Sequence, residues 1–232
     1  MAVILHIETS TPVCSVALSK NGILWDQQIS DDANDHAAQL AVITKILLDK
    51  NTFSIKNLNA VSVSAGPGSY TGLRIGASFA KGICHALHIP FIAVNSLQAM
   101  AYGASENVNN PTLLFAPLID ARRMEVYTAL YNSNIDCIRN PEAVIMESND
   151  FISYLEANKI LFFGSGVNKV KHLLDHSNSV FLDNFQLMAN HQIRISKALF
   201  SHKQFSDIGD FEPEYIKTFS GTARLSSDNL NI

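Results

Sequence analysis

The sequence predicts an α/β protein built from two tandem units of the same order. Three observations predict it. Each half of the chain opens with apolar runs of strand length, separated by turn residues. Segments with helical apolar spacing then alternate with short apolar runs. A strand–glycine turn–helix recurs at matching places, around Gly66–Gly72 and at Gly164-Ser165-Gly166. The chain has 232 residues, room for one large domain or two small ones. With 47% apolar and 16% charged residues it has the composition of a globular protein with a sizeable core.

In the first half, Val3 to Ile7 is an apolar run interrupted by His6, the pattern of a buried strand. Glu8-Thr-Ser-Thr-Pro12 is a turn, and Val13 to Ser19 resumes with Cys14, Val16 and Leu18 on one face. Asn21-Gly22 is a hairpin signal, because both central positions of that turn need positive φ. Ile23 to Ile29 returns as the third strand. Asp31 to Asp35 offers helix caps. From His36, Leu40, Ile43 and Leu47 follow helical spacing, with Ile46 and Leu48 widening the stripe. Ala60 to Ala65 is a strand of small and β-branched residues. Gly66, Gly68 and Gly72 make a tight loop, and a helix follows to about Leu87. Phe91 to Val94 is a short strand, and Asn95 or Ser96 caps a helix to about Gly103.

The polar stretch Asn107 to Pro111 marks a lobe boundary. Beyond it, strands are expected at Leu113–Ile119, Met124–Tyr131 and Ile135–Ile138. A helix capped by Ser148 runs through Phe151, Leu155 and Ala157. A strand at Lys159–Phe163, a helix at Val167–Leu174, a short strand at Val180–Leu182 and a helix at Leu187–Phe200 complete the order. Three antiparallel strands followed by alternating helices and strands describe the ribonuclease H-like unit. Two in tandem describe the actin-like, sugar-kinase-like bilobed architecture. The expected divisions are 1–106 for the first lobe, 107–210 for the second and 211–232 for a C-terminal segment. That segment is polar from Ser220, with little to bury, so its end is expected to be loose.

A net charge of −4 implies no basic face, which argues against strong direct binding of nucleic acid by this chain alone. The clusters Arg122-Arg123 and Lys169, Lys171, His172 are too small to reverse that. Cys14, Cys84 and Cys137 are odd in number and widely spaced, which suits a reduced, cytoplasmic compartment. The N-terminus has no basic region and meets Glu8 too early for a signal peptide. No apolar run approaches the roughly 18 residues of a membrane span.

The stretch Ala60–Ala86 admits two functional readings. A glycine loop before a helix N-terminus can hold an anion on backbone N–H groups; here the candidates are Gly66, Gly68, Ser69 and Gly72. The spacing G-x-G-x-x-x-G lacks the lysine of a P-loop and is a weak fingerprint. The second reading rests on Gly72, Gly76 and Ala80, four apart, which strip one helix face of bulk and let another surface approach. That surface is either the protein's own sheet or a partner.

Ile7-Glu-Thr-Ser10, Ala65-Gly-Pro-Gly-Ser-Tyr-Thr-Gly-Leu-Arg-Ile-Gly76 and Pro117-Leu-Ile-Asp-Ala-Arg-Arg-Met-Glu-Val-Tyr127 together resemble the TsaB (YeaZ) family. Phe211-Glu-Pro-Glu-Tyr215 is similar to a Pro-x-Tyr element near that family's C-terminus, whereas 141–210 matches only in element order. The resemblance implies a part in making threonylcarbamoyladenosine at position 37 of tRNA. In that machinery TsaC makes threonylcarbamoyl-adenylate, TsaD transfers the group and TsaE is an ATPase. The resemblance implies a subunit that dimerises with its paralogue TsaD, is needed for TsaD to act, and is not itself the transferase. It further implies TsaE and, through the complex, tRNA as partners, and a homodimer when TsaD is absent. ATP or ADP would belong to the complex, not to the isolated chain. In the family the two first-lobe helices form the dimer surface, which places His36, Leu40, Ile43, Leu47, Gly72, Leu73, Gly76, Ala77 and Ala80 at a partner interface. Which face of each helix turns inward is not decided by periodicity.

The residues agree with a non-catalytic role. The resemblance to TsaD leads one to look for two metal-binding histidines one helical turn apart; here His36-Ala-Ala-Gln-Leu40 has one imidazole and a leucine. His85 and His88 suit a helix C-terminus. Glu8 ends the first strand, where actin-like phosphotransferases place an aspartate followed by glycine; no glycine follows here. Ser69, Tyr70 and Thr71 have no base fixed beside them by any motif. Asp120 and Arg122 suit a tight turn. No catalytic residue and no metal site is therefore assigned. The alternatives are a self-sufficient ATP- or metal-dependent enzyme of the same fold, as older glycoprotease-like naming suggests, and a homodimeric binding protein.

Overall fold

The structure, a computed structural model, describes residues 2–30, 35–106, 108 and 110–216. The expected loose end from Ser220 and four of the five candidate capping residues at 31–35 lie outside the described residues. The first half contains β1 (Val3–Glu8), β2 (Ser15–Lys20), β3 (Ile23–Ile29), α1 (His36–Lys50), β4 (Ala60–Gly66), α2 (Tyr70–Leu87), β5 (Phe91–Asn95) and α3 (Ser96–Ser105). Its sheet has the order β3-β2-β1-β4-β5. β1 to β3 are antiparallel neighbours, and β4 and β5 add in parallel on the other side of β1. Asn21 and Gly22 turn the hairpin with φ of 54° and 76°, as that turn requires.

The second half contains β6 (Leu114–Asp120), β7 (Glu125–Tyr131), β8 (Cys137–Ile145), α4 (Ile152–Leu155), β9 (Ile160–Phe163), α5 (Val167–Val170), β10 (Ser179–Leu182) and α6 (Ile193–Ser201). Its sheet, β8-β7-β6-β9-β10, repeats the first order and the same strand directions. Two ribonuclease H-like units thus stand in tandem, the bilobed actin-like architecture.

The helix expected at Leu187–Phe200 is α-helical only from Ile193, after a 3-10 turn at Ala189–Gln192. Three more elements differ from expectation, each for a local reason. β8 starts later and runs further than Ile135–Ile138. Ile135 sits in the turn with φ 65°. The strand continues past Pro141, which has no N–H to donate; β8 is an edge strand and its register slips there, between Arg139 and Glu142. α4 is a single turn because Asp150 accepts from Glu147 N and Phe151 anchors the segment in the core. α5 gives way to a 3-10 turn at Lys171–Leu173. Asn95 is the cap of α3, accepting from Gln98 N at 3.1 Å.

The core has three parts. α1 and α2 cover the outer face of the first sheet, burying Leu40, Ile43, Leu47 and Ala80 against Leu5, Ile7, Val61 and Val63. Residues of α4 and α5 do the same for the second sheet, around Phe151 and Phe162. Between them, α3 joins both sheets in one core with Ile92, Val94, Leu97, Met100, Phe115 and Phe163. Residues 189–201 complete this layer by packing on β1, β2, β4 and β5. The chain then runs back along β5, where Ser206 N donates to Phe91 O and Phe211 packs on Phe91. It ends at the glycine loop, where Glu214 N donates to Ala65 O at 2.7 Å.

Candidate functional site

Glu8 closes β1 at the end where the parallel strands finish, and it is fully buried. Ser10 follows two residues later and turns back on it: its N–H and its hydroxyl donate to Glu8 Oε1 at 2.7 and 2.6 Å. Ser64, on the neighbouring strand β4, donates its hydroxyl to Oε2. The last donor comes from far along the chain. Gln192 Nε2 bonds Ile7 O at 2.8 Å, Ser64 Oγ at 3.0 Å and Glu8 Oε2 at 3.3 Å. Its Oε1 accepts from Ser62 Oγ at 2.8 Å. Burial raises the Glu8 carboxyl above its ordinary range, while these four donors pull it back. Both carboxyl oxygens of Glu8 thus take hydrogen bonds from the chain's own groups, and the side chain is fully buried.

The polar seam continues along β1. His6 is fully buried, with Ser19 Oγ 2.8 Å from Nε2 and Ser196 Oγ 3.2 Å from Nδ1. Burial among neutral hydroxyls lowers its pKa to about 3.

The glycine loop serves the same closure. A Cβ on Gly68 would stand 2.4 Å from Ser10 O, one on Gly72 2.0 Å from Thr9 O, and one on Gly76 2.3 Å from Thr9 Oγ1. All three glycines therefore admit the Thr9-Ser10 corner against the start of α2. Ser69 N, an amide an anion would need, donates to Ser10 O at 2.7 Å. Ser69 Oγ caps α2 by accepting from Gly72 N at 3.3 Å. Gly66, with φ 114°, has Glu214 O over it, 2.7 Å from where a Cβ would be. Backbone of the Thr9-Ser10 corner and of Glu214 thus lies directly against the glycine loop. The cleft between the halves holds a cavity of about 200 Å³ lined mainly by Thr11, Pro12, Met100, Ile119, Ser165 and Leu187. That is below the roughly 300–1,000 Å³ usual for ligand sites.

The nine residues expected at a partner interface all face inward. His36, Leu40, Ile43, Leu47, Gly72, Leu73, Gly76, Ala77 and Ala80 are buried within the isolated chain. His36 Nε2 donates to Thr11 O at 2.7 Å, which holds the start of α1 on the β1–β2 connection. The leucines and Ile43 are spent on the first sheet. Their helical neighbours form the outward face. On α1 these are Ala38, Ala41, Val42 and Ile46, with Val42 50% and Ile46 45% exposed. On α2, Ile75, Phe79 and Ile83 recur every fourth residue and are half-buried. Beside them a second row of small residues, Ser78, Gly82 and Ala86, is exposed, and a Cβ on Gly82 would meet nothing within 4 Å. α1 and α2 lie side by side, so the two rows make one apolar, shallow surface. Lys45 with Asp49 on α1 edges it. So does Arg74, whose guanidinium lies 4.2 Å from the Tyr70 ring and whose Nε donates to Tyr215 Oη at 2.9 Å.

Of the remaining candidates, His88 ends α2 in the left-handed conformation, with its ring 6.4 Å from that of His85. Asp120 accepts from Arg122 N at 2.8 Å in the β6–β7 turn and pairs with Lys169. Among the described residues no three of His, Cys, Asp and Glu come together as a metal site. No helix among them is long and apolar enough to cross a membrane. Gln192 escaped sequence reading, although a carboxamide just before the apolar face of Ile193 and Ile195 is a signal for a buried polar partner.

The family model described as "TsaD: tRNA N6-adenosine threonylcarbamoyltransferase" matches residues 29–209. The tRNA threonylcarbamoyladenosine biosynthesis protein TsaB of Bacillus subtilis is 29% identical over 95% of this chain and 96% of that protein. The TsaB of Escherichia coli is 37% identical over 55% of this chain and 54% of its own length. Among solved structures, YeaZ from Pseudomonas aeruginosa superposes with a TM-score of 0.81 at 23% identity, covering 93% of this chain and all of that one. The two repeated sheets, the glycine loop wrapped on Thr9-Ser10 and these likenesses agree: the chain belongs to the TsaB (YeaZ) family.

Proposed function

We propose that this chain serves tRNA threonylcarbamoyladenosine formation as a non-catalytic subunit that docks on a TsaD transferase through the outward face of α1 and α2. The observation that carries the reading is the pairing of a closed strand end with an open helix face. Glu8 is fully buried under Ser10, Ser64 and Gln192, and the glycine loop is occupied by the chain's own backbone. Among the described residues, Val42 and Ile46 stand exposed on α1, and Ile75, Phe79 and Ile83, although packed on the core beneath them, stay partly exposed on α2. Exposed alanines and Gly82 let another helix pair approach closely, and charged residues rim the surface as at other interfaces.

Docking changes TsaD only if the chain binds one of its states better than the other. The pair then recruits TsaE and tRNA, and any ATP or ADP belongs to the assembled complex. Without TsaD the same face pairs two copies of this chain. The names of the relatives and the TsaD-like match support a tRNA-modifying assembly, and the cytoplasm is its proposed place. The lobes 1–106 and 107–210 and the segment 211–232 are the proposed units, with docking confined to the first.

Size-exclusion of the chain mixed with TsaD at micromolar concentration tests the reading. A joint species is expected, lost in Val42→Asp and in Ile46→Asp, both on the exposed side of α1, while each variant keeps the parent's melting temperature. Separate species with and without nucleotide would refute docking. Reconstituted tRNA modification that persists when this chain is omitted would refute the accessory role.

A further inference from the structure

At the opposite end of the first sheet from Glu8, the start of β1, the end of β2, β3 and residues 53–59 enclose an open cavity of about 540 Å³. β1 separates the two places by roughly 17 Å, at about 3.3 Å per residue. The volume lies within the range of small-molecule sites. Its walls have three kinds of group. Trp25 and Phe53 meet edge to face, ring centroids 5.5 Å apart, and Trp25 keeps 39% of its surface exposed. Lys20 and Lys56 line the same space, Lys20 Nζ standing 5.3 Å from the Trp25 ring. Asn57 and Asn59 supply carboxamides, Asn59 Oδ1 being held by Val3 N at 2.7 Å.

The charge of the site is unusual for this chain. The whole protein carries −4, yet the cavity lining has two lysines and no carboxylate. The nearby carboxylate, Asp26, is already engaged: Lys50 Nζ lies 2.9 Å away and Asn51 Nδ2 2.9 Å. Two ammonium groups beside an exposed indole suit a ligand that joins a flat aromatic ring to an anion. Phosphate alone would leave the rings unused, and an uncharged ring would leave the lysines unused.

We propose that this cavity is a subsite for one unpaired nucleotide, with its base on Trp25 and Phe53 and its phosphate against Lys20 and Lys56. Base–aromatic stacking contributes about 1–3 kcal/mol and tolerates any base. The chemistry is shared by a free nucleoside monophosphate and by a nucleotide in a single-stranded stretch of RNA. It requires no broad basic face, in keeping with the net charge. The site does not depend on docking to TsaD, since it lies beyond the C-terminal end of α1, where Asn51 caps the helix.

Trp25 is the one tryptophan of the chain, so its emission reports the cavity directly. The full chain is titrated with AMP, adenosine, inorganic phosphate and a short oligoadenylate. AMP and oligoadenylate are expected to quench Trp25, with adenosine and phosphate each at least about tenfold weaker than AMP. Lys20→Ala with Lys56→Ala should weaken AMP about tenfold or more while the melting temperature stays unchanged. Oligoadenylate binding tenfold tighter than AMP, with a salt dependence that shrinks in the lysine variant, identifies RNA as the source; equal affinity identifies the free nucleotide. No change in emission up to about 5 mM AMP, or binding that survives the double substitution, overturns the proposal.

Discussion

Gly72→Ala and Gly82→Ala place the same methyl group at a buried and at an exposed position of α2, and the structure assigns them opposite effects. At Gly72 the new carbon would lie 2.0 Å from Thr9 O, 3.2 Å from Thr9 C and 3.3 Å from His36 Cδ2. The first neighbour is backbone, so no side-chain rotation relieves the clash. Either α2 or the Thr9-Ser10 corner must move by more than an ångström to restore ordinary contact. That corner is tied by Ser69 N to Ser10 O and by Ser10 to Glu8, so the movement also strains a buried hydrogen bond. Overpacking costs about 1–3 kcal/mol, and a weakened hydrogen bond adds about 1. The gain from replacing helical glycine by alanine offsets about 1. The net loss is about 2 kcal/mol, or a fall of roughly 4–8 °C in Tm for a chain of this size. At Gly82 the methyl meets nothing within 4 Å. Only the propensity gain remains, about 1 kcal/mol and roughly 2–4 °C upward. Thermal melts followed by circular dichroism at neutral pH measure both. If Gly72→Ala melts at or above the parent temperature, the loop is not shaped by the Thr9-Ser10 corner. A role in anion binding would then regain its footing.

Two further outcomes follow from the buried polar seam. Gln192→Ala removes a carboxamide that bonds Ile7, Ser62, Ser64 and Glu8, and should cost about 2–4 kcal/mol in urea unfolding; a loss within about 0.5 kcal/mol would mean water replaces it without penalty. His6 and His191 titrate in the folded protein near pH 3 and 4 instead of 6.5, because burial disfavours the charged ring. The unfolded chain therefore takes up their protons first, and stability falls as pH drops below about 6.5, by about 2 kcal/mol per imidazole at pH 5. Glu8 has the opposite sign: its folded pKa is raised, so its contribution declines as pH climbs above its ordinary 4.5. Urea midpoints at pH 7 and 5, compared between the parent and His6→Gln, cancel the Glu8 part. The parent should lose more than the variant, and equal losses would show that His6 is protonated in the fold.

The order of elements was legible because each signal is local. Asn21-Gly22 marks its hairpin, the stripe Leu40, Ile43, Leu47 its helix, and Gly66–Gly72 its strand-to-helix turn. What was not legible depends on contacts distant in sequence. α2 carries two rows of small residues, Gly72-Gly76-Ala80 and Ser78-Gly82-Ala86, and periodicity treats them alike. Only the Thr9-Ser10 corner, more than sixty residues earlier, decides that the first row faces in. Gln192 reaches Glu8 across 184 positions. Trp25 and Phe53 meet through the packing of β3 on residues 53–59, and neither segment alone suggests a cavity. β8 runs on past Ile138 and through Pro141, which an edge strand tolerates because its outer N–H groups need no partner.

The closed strand end and the open helix face are connected by the same few residues. Ser10 bonds Glu8 through its N–H and its hydroxyl while its carbonyl accepts from Ser69 N, so one residue ties the strand end to the glycine loop. The same corner draws α2 inward at Gly72 and Gly76, and His36 pins α1 to Thr11 at the next residue. Closure therefore fixes the position and tilt of both helices relative to the sheet. A partner surface made of two helices needs that fixed relation, because its complement must match Val42 and Ile46 together with Ile75, Phe79 and Ile83. The chain's own groups at this strand end thus hold α1 and α2 in one fixed relation, as the docking proposed above requires. A mutation at Glu8, Ser10 or Gln192 is thus expected to weaken partner binding without touching the partner, through movement of α1 and α2.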